Sequence, residues 1–137
     1  MVSMTFTSYQ QLILWRRSMD LVAGIYRVSR RFPSDERSGL TATLRRTATV
    51  VPGKIADGHG RSDFNEAMSA FAAAQGALRE LLTHLIVARR LHFISWLTYR
   101  LLRLRCKKLY SMLDLAIEEI EDLNREPESD PSLKIAA

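Results

Sequence analysis

The chain has few of the residues that impose covalent or metal constraints. It holds one cysteine, Cys106, among 137 residues. One thiol excludes an internal disulfide and cannot alone build a cysteine-based metal site. That usage fits a reducing compartment, and a cytoplasmic location is expected. Long apolar runs are also missing. The longest, 91–99, is interrupted by His92, Ser95 and Thr98. It falls well short of the ~20 residues that cross a bilayer, so no membrane partner is expected. The first fourteen residues have neither a basic n-region nor a long apolar h-region, so no secretory signal is expected. Acidic residues are scarce until late in the chain. Residues 1–113 carry seven Asp or Glu against 18 Lys or Arg, a net of +11, whereas residues 114–137 carry eight against two, a net of −6. No credible strand, internal repeat or low-complexity tract can be read.

What is present suits one helical domain. The length allows a single real core and the 47% hydrophobic content is that of an ordinary globular protein. Arginine supplies 16 of the 20 basic residues, and its planar fork suits carboxylate and phosphate recognition.

Four helical stretches follow from the periodicity. The first spans Gln11 to Arg30, with Leu12, Trp15, Met19, Val22 and Tyr26 at three- and four-residue spacing as its buried face. Phe32-Pro33 ends it. The second starts at Ser34 as N-cap, with Asp35 and Glu36 at the positive end of the helix dipole. Its stripe Leu40, Leu44, Ala48, Val51, Ile55 keeps phase across Pro52. One helix kinked at Pro52 is therefore expected, ending at Gly58 or Gly60. The third begins at Ser62-Asp63, with Glu66 placed as in a capping box. Its heptad seam is Phe64, Met68, Phe71, Gln75, Leu78, Leu82 and Leu85, and Gln75 is the polar residue expected to set register. The fourth carries Tyr99, Leu102, Cys106, Leu109, Leu113, Ala116, Ile120 and Leu123. A second apolar set, Leu97, Leu101, Leu104, Met112 and Leu115, makes it wide enough to pack on two sides. The division is an N-terminal segment 1–10, a four-helix bundle 11–124 and an acidic disordered tail 125–137.

Chemistry-bearing motifs are weak. Lys54 follows Gly53, but the spacing of a phosphate loop is absent. His59, His84 and His92 are isolated. Glu80 and His84 share a helix face, yet no second histidine completes a metal motif. No catalytic residue, metal site or cofactor is indicated, and the protein is expected not to be an enzyme. The strongest feature is the basic cluster Arg100, Arg103, Arg105, Lys107 and Lys108, in which Arg100, Arg103 and Lys107 share one face. It can neutralise phosphates or simply face solvent. Arg16 and Arg17, Arg30 and Arg31, and Arg27 add charge to the first helix. If that helix lies beside the basic part of the fourth, one continuous patch results. Arg45 and Arg46 point about 100° apart. They can bind an anion, but the favoured reading is structural, with at least one of them paired with Glu36, Asp57 or Glu80, within the bundle or between subunits.

One segment has the order of a family signature: Phe32-Pro33, Glu36, Gly39-Leu40, Arg45-Arg46, Pro52, then Ile55-Ala56-Asp57-Gly58. Leu14-Trp15 and Tyr26 upstream, and Gly76, Leu78, Glu80-Leu81, Thr83 and Leu85 downstream, extend the match over roughly residues 12 to 94. Thr43, Val50, Lys54, Asp57 (an acid, but Asp in place of Glu), Ala77 and Leu82 depart from it. The sequence resembles the four-helix-bundle proteins encoded by intervening sequences of bacterial large-subunit ribosomal RNA, and is similar to the accessory bundle protein of diversity-generating retroelements. The resemblance implies an all-α, antiparallel up-down four-helix bundle assembled as a homopentameric ring. Together with the basic body it implies association with RNA or DNA. The alternative is a protein-interaction scaffold or accessory subunit, for example of a reverse transcriptase, whose arginines serve subunit and partner contacts.

Overall fold

The computed structural model describes residues 8–125, and the acidic stretch 126–137 lies outside the described residues. Four helices run Ser8–Ser29 (α1), Leu40–His59 (α2), Phe64–Arg90 (α3) and Trp96–Arg125 (α4), with no strand among the described residues. α1 starts three residues before the expected Gln11. Each helix packs on its neighbours in sequence, and α1 also packs on α4, which closes the bundle around one core.

The connections have local causes. Ser34–Glu36 forms a short 3-10 turn rather than the first turn of α2, and Ser34 makes no side-chain cap. α2 begins at Leu40 because Glu36 reaches forward, its Oε1 accepting from the Leu40 N–H at 2.9 Å. The cap expected of Ser34 is thus supplied by Glu36. At α3 the expected N-cap is found: Asp63 accepts from the N–H groups of Asn65 and Glu66 at 2.8 and 3.2 Å. Glu66 turns instead to Arg61, 3.1 Å away. α3 ends in a two-bond αL cap, in which the His92 N–H donates to the Arg89 carbonyl and the Phe93 N–H to that of Ala88. His92 sits at φ 63°, a left-handed conformation that glycine would adopt more cheaply. Phe93 then meets Phe32, with ring centroids 5.3 Å apart, and closes that end of the core. Ser95 Oγ accepts from the Thr98 N–H at the start of α4.

α2 runs without a break through Pro52, which is buried. Leu44, Ala48, Val51 and Ile55 are in the core, as the stripe predicts. Near its end, Gly58 lies against α3. A Cβ there would fall 2.7 Å from the Phe71 ring and 3.2 Å from the Ala67 carbonyl, so only glycine permits this approach. The seam of α4 holds from Leu102 to Ile120, with Tyr99 and Leu123 half-buried at its ends. On α3, Phe71, Leu78 and Leu85 join it in one cluster, but Phe64, Met68 and Leu82 are half-buried. Ala67, Ala74, Leu81 and Ala88 form a second buried row, because α3 packs on both α2 and α4. Gln75 is buried where α3 meets α4 and donates to the Tyr110 carbonyl at 3.1 Å and to Asp114 Oδ1 at 2.7 Å.

α1 departs from expectation. Its buried face is Leu14, Ser18, Leu21 and Ile25, whereas Leu12, Trp15, Met19 and Tyr26 stand 36–42% exposed. Two apolar sets run along this helix about 100° apart. The set with the larger side chains is outside. The inner set is interrupted by Ser18 and Gly24, which hides it in the sequence. Ser18 is tolerated because its hydroxyl donates to the Trp15 carbonyl at 2.6 Å.

Candidate nucleic-acid interface

The cations of α4 divide between its two flanks. Arg100 and Lys107 are exposed and Arg103 half-buried. Their spacing places them together on the flank that carries Tyr110 and Asp114, the residues that meet α3 through Gln75 and Arg79. Arg105 and Lys108 lie on the other flank, in the groove against α1. That groove, about 500 Å³, is lined by Arg17, Asp20, Ala23 and Arg27 of α1 and by Leu104, Arg105, Lys108 and Leu109 of α4. Gly24 leaves room for the reach of Arg105: the Nη1 atom lies 3.2 Å from where a Cβ on Gly24 would sit. The structure therefore brings Arg17 and Arg27 to the basic part of α4, leaves Arg30 and Arg31 out of the groove, and adds Asp20, which the sequence reading did not single out. Its signal was available in the spacing of Arg17, Asp20, Gly24 and Arg27 along one flank of α1. Arg16 is exposed and does not line the groove.

The pairs expected for Arg45 and Arg46 do not form within this chain. Arg45 Nε donates to Ser29 Oγ at 2.8 Å, and its guanidinium lies 4.6 Å from the centroid of the Tyr26 ring. This locks α1 to α2 through a hydroxyl and an aromatic face instead of a carboxylate. Arg46 is exposed beside Glu80, Arg79 and Thr83 in a shallow groove between α2 and α3. Neither Arg46 nor Glu80 belongs to an ion pair among the described residues. Asp57 pairs with Arg61 at 3.1 Å, and Glu36 caps α2. Among the described residues only Arg61 and Arg125 are ion-paired cations, through Asp57, Glu66 and Asp122. Each of these pairs is exposed, where such contacts contribute little. Among the described residues the remaining cations have no carboxylate partner, and Arg45, Arg79 and Arg89 meet hydroxyls or aromatic rings instead.

Apolar surface is exposed as well. Besides the α1 row, Trp96, Leu97, Leu101, Leu104 and Leu115 of α4 are 52–65% exposed. Arg89 lies 5.8 Å from the centroid of the Trp96 ring. Cys106 is buried and burial pushes its thiol up to about 12, which leaves the reactive thiolate scarce at neutral pH. Among the described residues no group of three or more His, Cys, Asp or Glu could hold a metal ion, and no helix is long and apolar enough to cross a membrane.

Comparisons with known proteins agree with the architecture. The model of the 23S rRNA-intervening sequence protein family matches residues 10–114. That span takes in nearly all of α1, the whole of α2 and α3, and more than half of α4. Among solved structures, a protein of unknown function from the S23 ribosomal protein family of Bacteroides thetaiotaomicron matches with a TM-score of 0.74 at 12% identity, over 80% of this chain and 98% of that one. At that identity the likeness is one of fold. A search of curated proteins finds no match. With a family match across most of its length and the same helical fold in a solved relative, the chain belongs to the family of 23S rRNA-intervening sequence proteins.

Proposed function

We propose that this protein is a non-enzymatic, self-associating helical bundle of the cytoplasm that binds nucleic acid through its arginine-rich surfaces. The observation that carries this reading is the near absence of ion pairing. Arg45 and Arg79 join helices through hydroxyls and aromatic rings. Among the described residues, however, only Arg61 and Arg125 have carboxylate partners, so nearly all of the positive charge is left unneutralised there. Unpaired arginines on a body of net charge +11 give the field that attracts polyanions and the forks that grip phosphates. The family's printed description concerns an intervening sequence of ribosomal RNA, which makes RNA the first ligand to try. Arg100, Arg103 and Lys107, with Arg105, Lys108, Arg16 and Arg17, are the binding candidates.

The assembly belongs to the same proposal. Gly58 approaches Phe71 and Ala67, while Arg46 and Val50 border the groove beside Glu80 and Thr83. That inverse order supports an antiparallel up-down bundle, in which Pro52, having no N–H for the Ala48 carbonyl, kinks α2. The exposed apolar rows of α1 and α4 support self-association, with a five-membered ring as the expected form. Those rows also favour a second reading, a scaffold or accessory subunit that docks a protein such as a reverse transcriptase.

Binding of labelled RNA and DNA at two salt concentrations tests the reading. Phosphate contacts predict affinity that falls linearly in log–log form with salt. Absence of binding at low salt would leave the scaffold reading in its place.

A further inference from the structure

The groove between α1 and α4 gathers charge that the bundle itself does not use. Arg17 and Arg27 enter it from one wall, Arg105 and Lys108 from the other, and Asp20 is the lone carboxylate. None of the five belongs to an ion pair among the described residues. Four cations facing one another repel, and an anion laid between them removes that repulsion. Gly24, by leaving space for the Arg105 guanidinium against α1, helps to hold this charge across the groove instead of on the open face of α4.

We propose that this groove is the track for the phosphodiester backbone of a single-stranded nucleic acid. The inference rests on the nucleic-acid reading above and assigns it a place and a strand type. Three features favour one strand over a duplex. The axes of packed helices lie about 8–10 Å apart, so the trough between them admits a single chain. Its cations come from both walls, so that they flank a backbone lying between them. Arg17 and Arg27 are ten residues apart on α1, a rise of about 15 Å, so the charge extends along the groove as a line. Ala23 and Leu104 supply an exposed apolar surface between the cations for sugars and bases. Asp20 opposes a phosphate at one point of the track, and this gives the site a signature of opposite sign.

The experiment measures anisotropy of labelled single-stranded RNA, single-stranded DNA and a duplex, each at two salt concentrations. Helicity and mass serve as controls. The variants are the pair Arg105→Gln with Lys108→Gln, the pair Arg100→Gln with Lys107→Gln, and Asp20→Asn alone. The groove predicts that the first pair lowers affinity at least tenfold and reduces the salt slope by about 0.7 per lost contact on a single strand. The second pair, which adds to the general positive field but does not line the groove, should weaken single strands and duplex alike and leave the preference for single strands in place. Asp20→Asn should tighten binding roughly two- to fivefold, the size of one exposed charge interaction. Single strands of either sugar should bind more tightly than the duplex, and poly-glutamate should compete poorly. If the parent binds no strand at low salt, the nucleic-acid reading fails and the groove with it. If the parent binds but the Arg100 and Lys107 pair carries the loss, or Asp20→Asn changes nothing, the groove alone is overturned. Equal binding of duplex or poly-glutamate would also overturn it. Should the double groove variant fail to fold, Asp20→Asn still decides.

Discussion

His92 shows how a single residue can be placed by the chain around it. The cap of α3 needs a left-handed residue at this position, and a histidine there bears the steric cost of its Cβ. His92→Gly should therefore raise stability by about 1 kcal/mol, read as a shift in the denaturation midpoint at unchanged slope. Cys106 makes a second single-residue case. Its folded thiol is raised from about 9.0 to about 12 by burial. The native state keeps a proton that the unfolded chain loses. This contribution is whole below about pH 9 and is lost as pH rises towards 12. Between pH 8 and pH 10 the parent should lose about 1 kcal/mol more stability than Cys106→Ala, measured by denaturant unfolding at both values.

At the scale of elements, α1 carries two apolar rows with different duties. Leu14 and Leu21 are fully buried in the core, whereas Trp15 and Met19 stand on the surface. Leu14→Ala should cost about 2–5 kcal/mol of stability, as large-to-small core changes do. Trp15→Gln with Met19→Gln should leave the unfolding midpoint of the isolated bundle nearly unchanged and instead reduce the mass of the assembly in light scattering. If the second pair unfolded the protein and left the mass intact, the rows would have been assigned the wrong way round. α2 was legible even through Pro52, because its stripe of Leu44, Ala48, Val51 and Ile55 is single and unbroken. On α1 the larger row misled, since spacing reports that a helix has an apolar face but not which of two faces a neighbour covers.

For the whole molecule the decisive quantities are charge and uncovered apolar area. Among the described residues thirteen large apolar side chains are exposed, beyond the scattered few that a monomer shows, and such surface commonly marks a contact site. Light scattering at micromolar concentration should give a mass several times 15.6 kDa, and a value equal to it would count against self-association. The same cations that leave the fold without ion pairs should make nucleic-acid binding steeply salt-dependent while folding stability changes little with salt, because the three described pairs are exposed.

The sequence by itself determined the class of fold, the stripe of α2, most of the seam of α4, the Phe71, Leu78 and Leu85 part of the seam of α3, and the Asp63 cap. Each rests on local periodicity or on a hydrogen bond within a turn. The family match in the Phe32 to Gly58 segment was legible for the same reason, since short spacings survive where overall identity does not. Tertiary structure alone decided which row of α1 is buried and that Arg45 meets Ser29 and Tyr26 instead of a carboxylate. It also decided that Arg17 and Arg27 face Arg105 and Lys108. These depend on the rotation of one helix about its axis against another, which is fixed by packing between residues from 16 to some eighty or more positions apart in the chain, where no local spacing can record it. The Glu36 cap of α2 is a different case, a contact four residues apart that the preference for Ser34 as N-cap concealed.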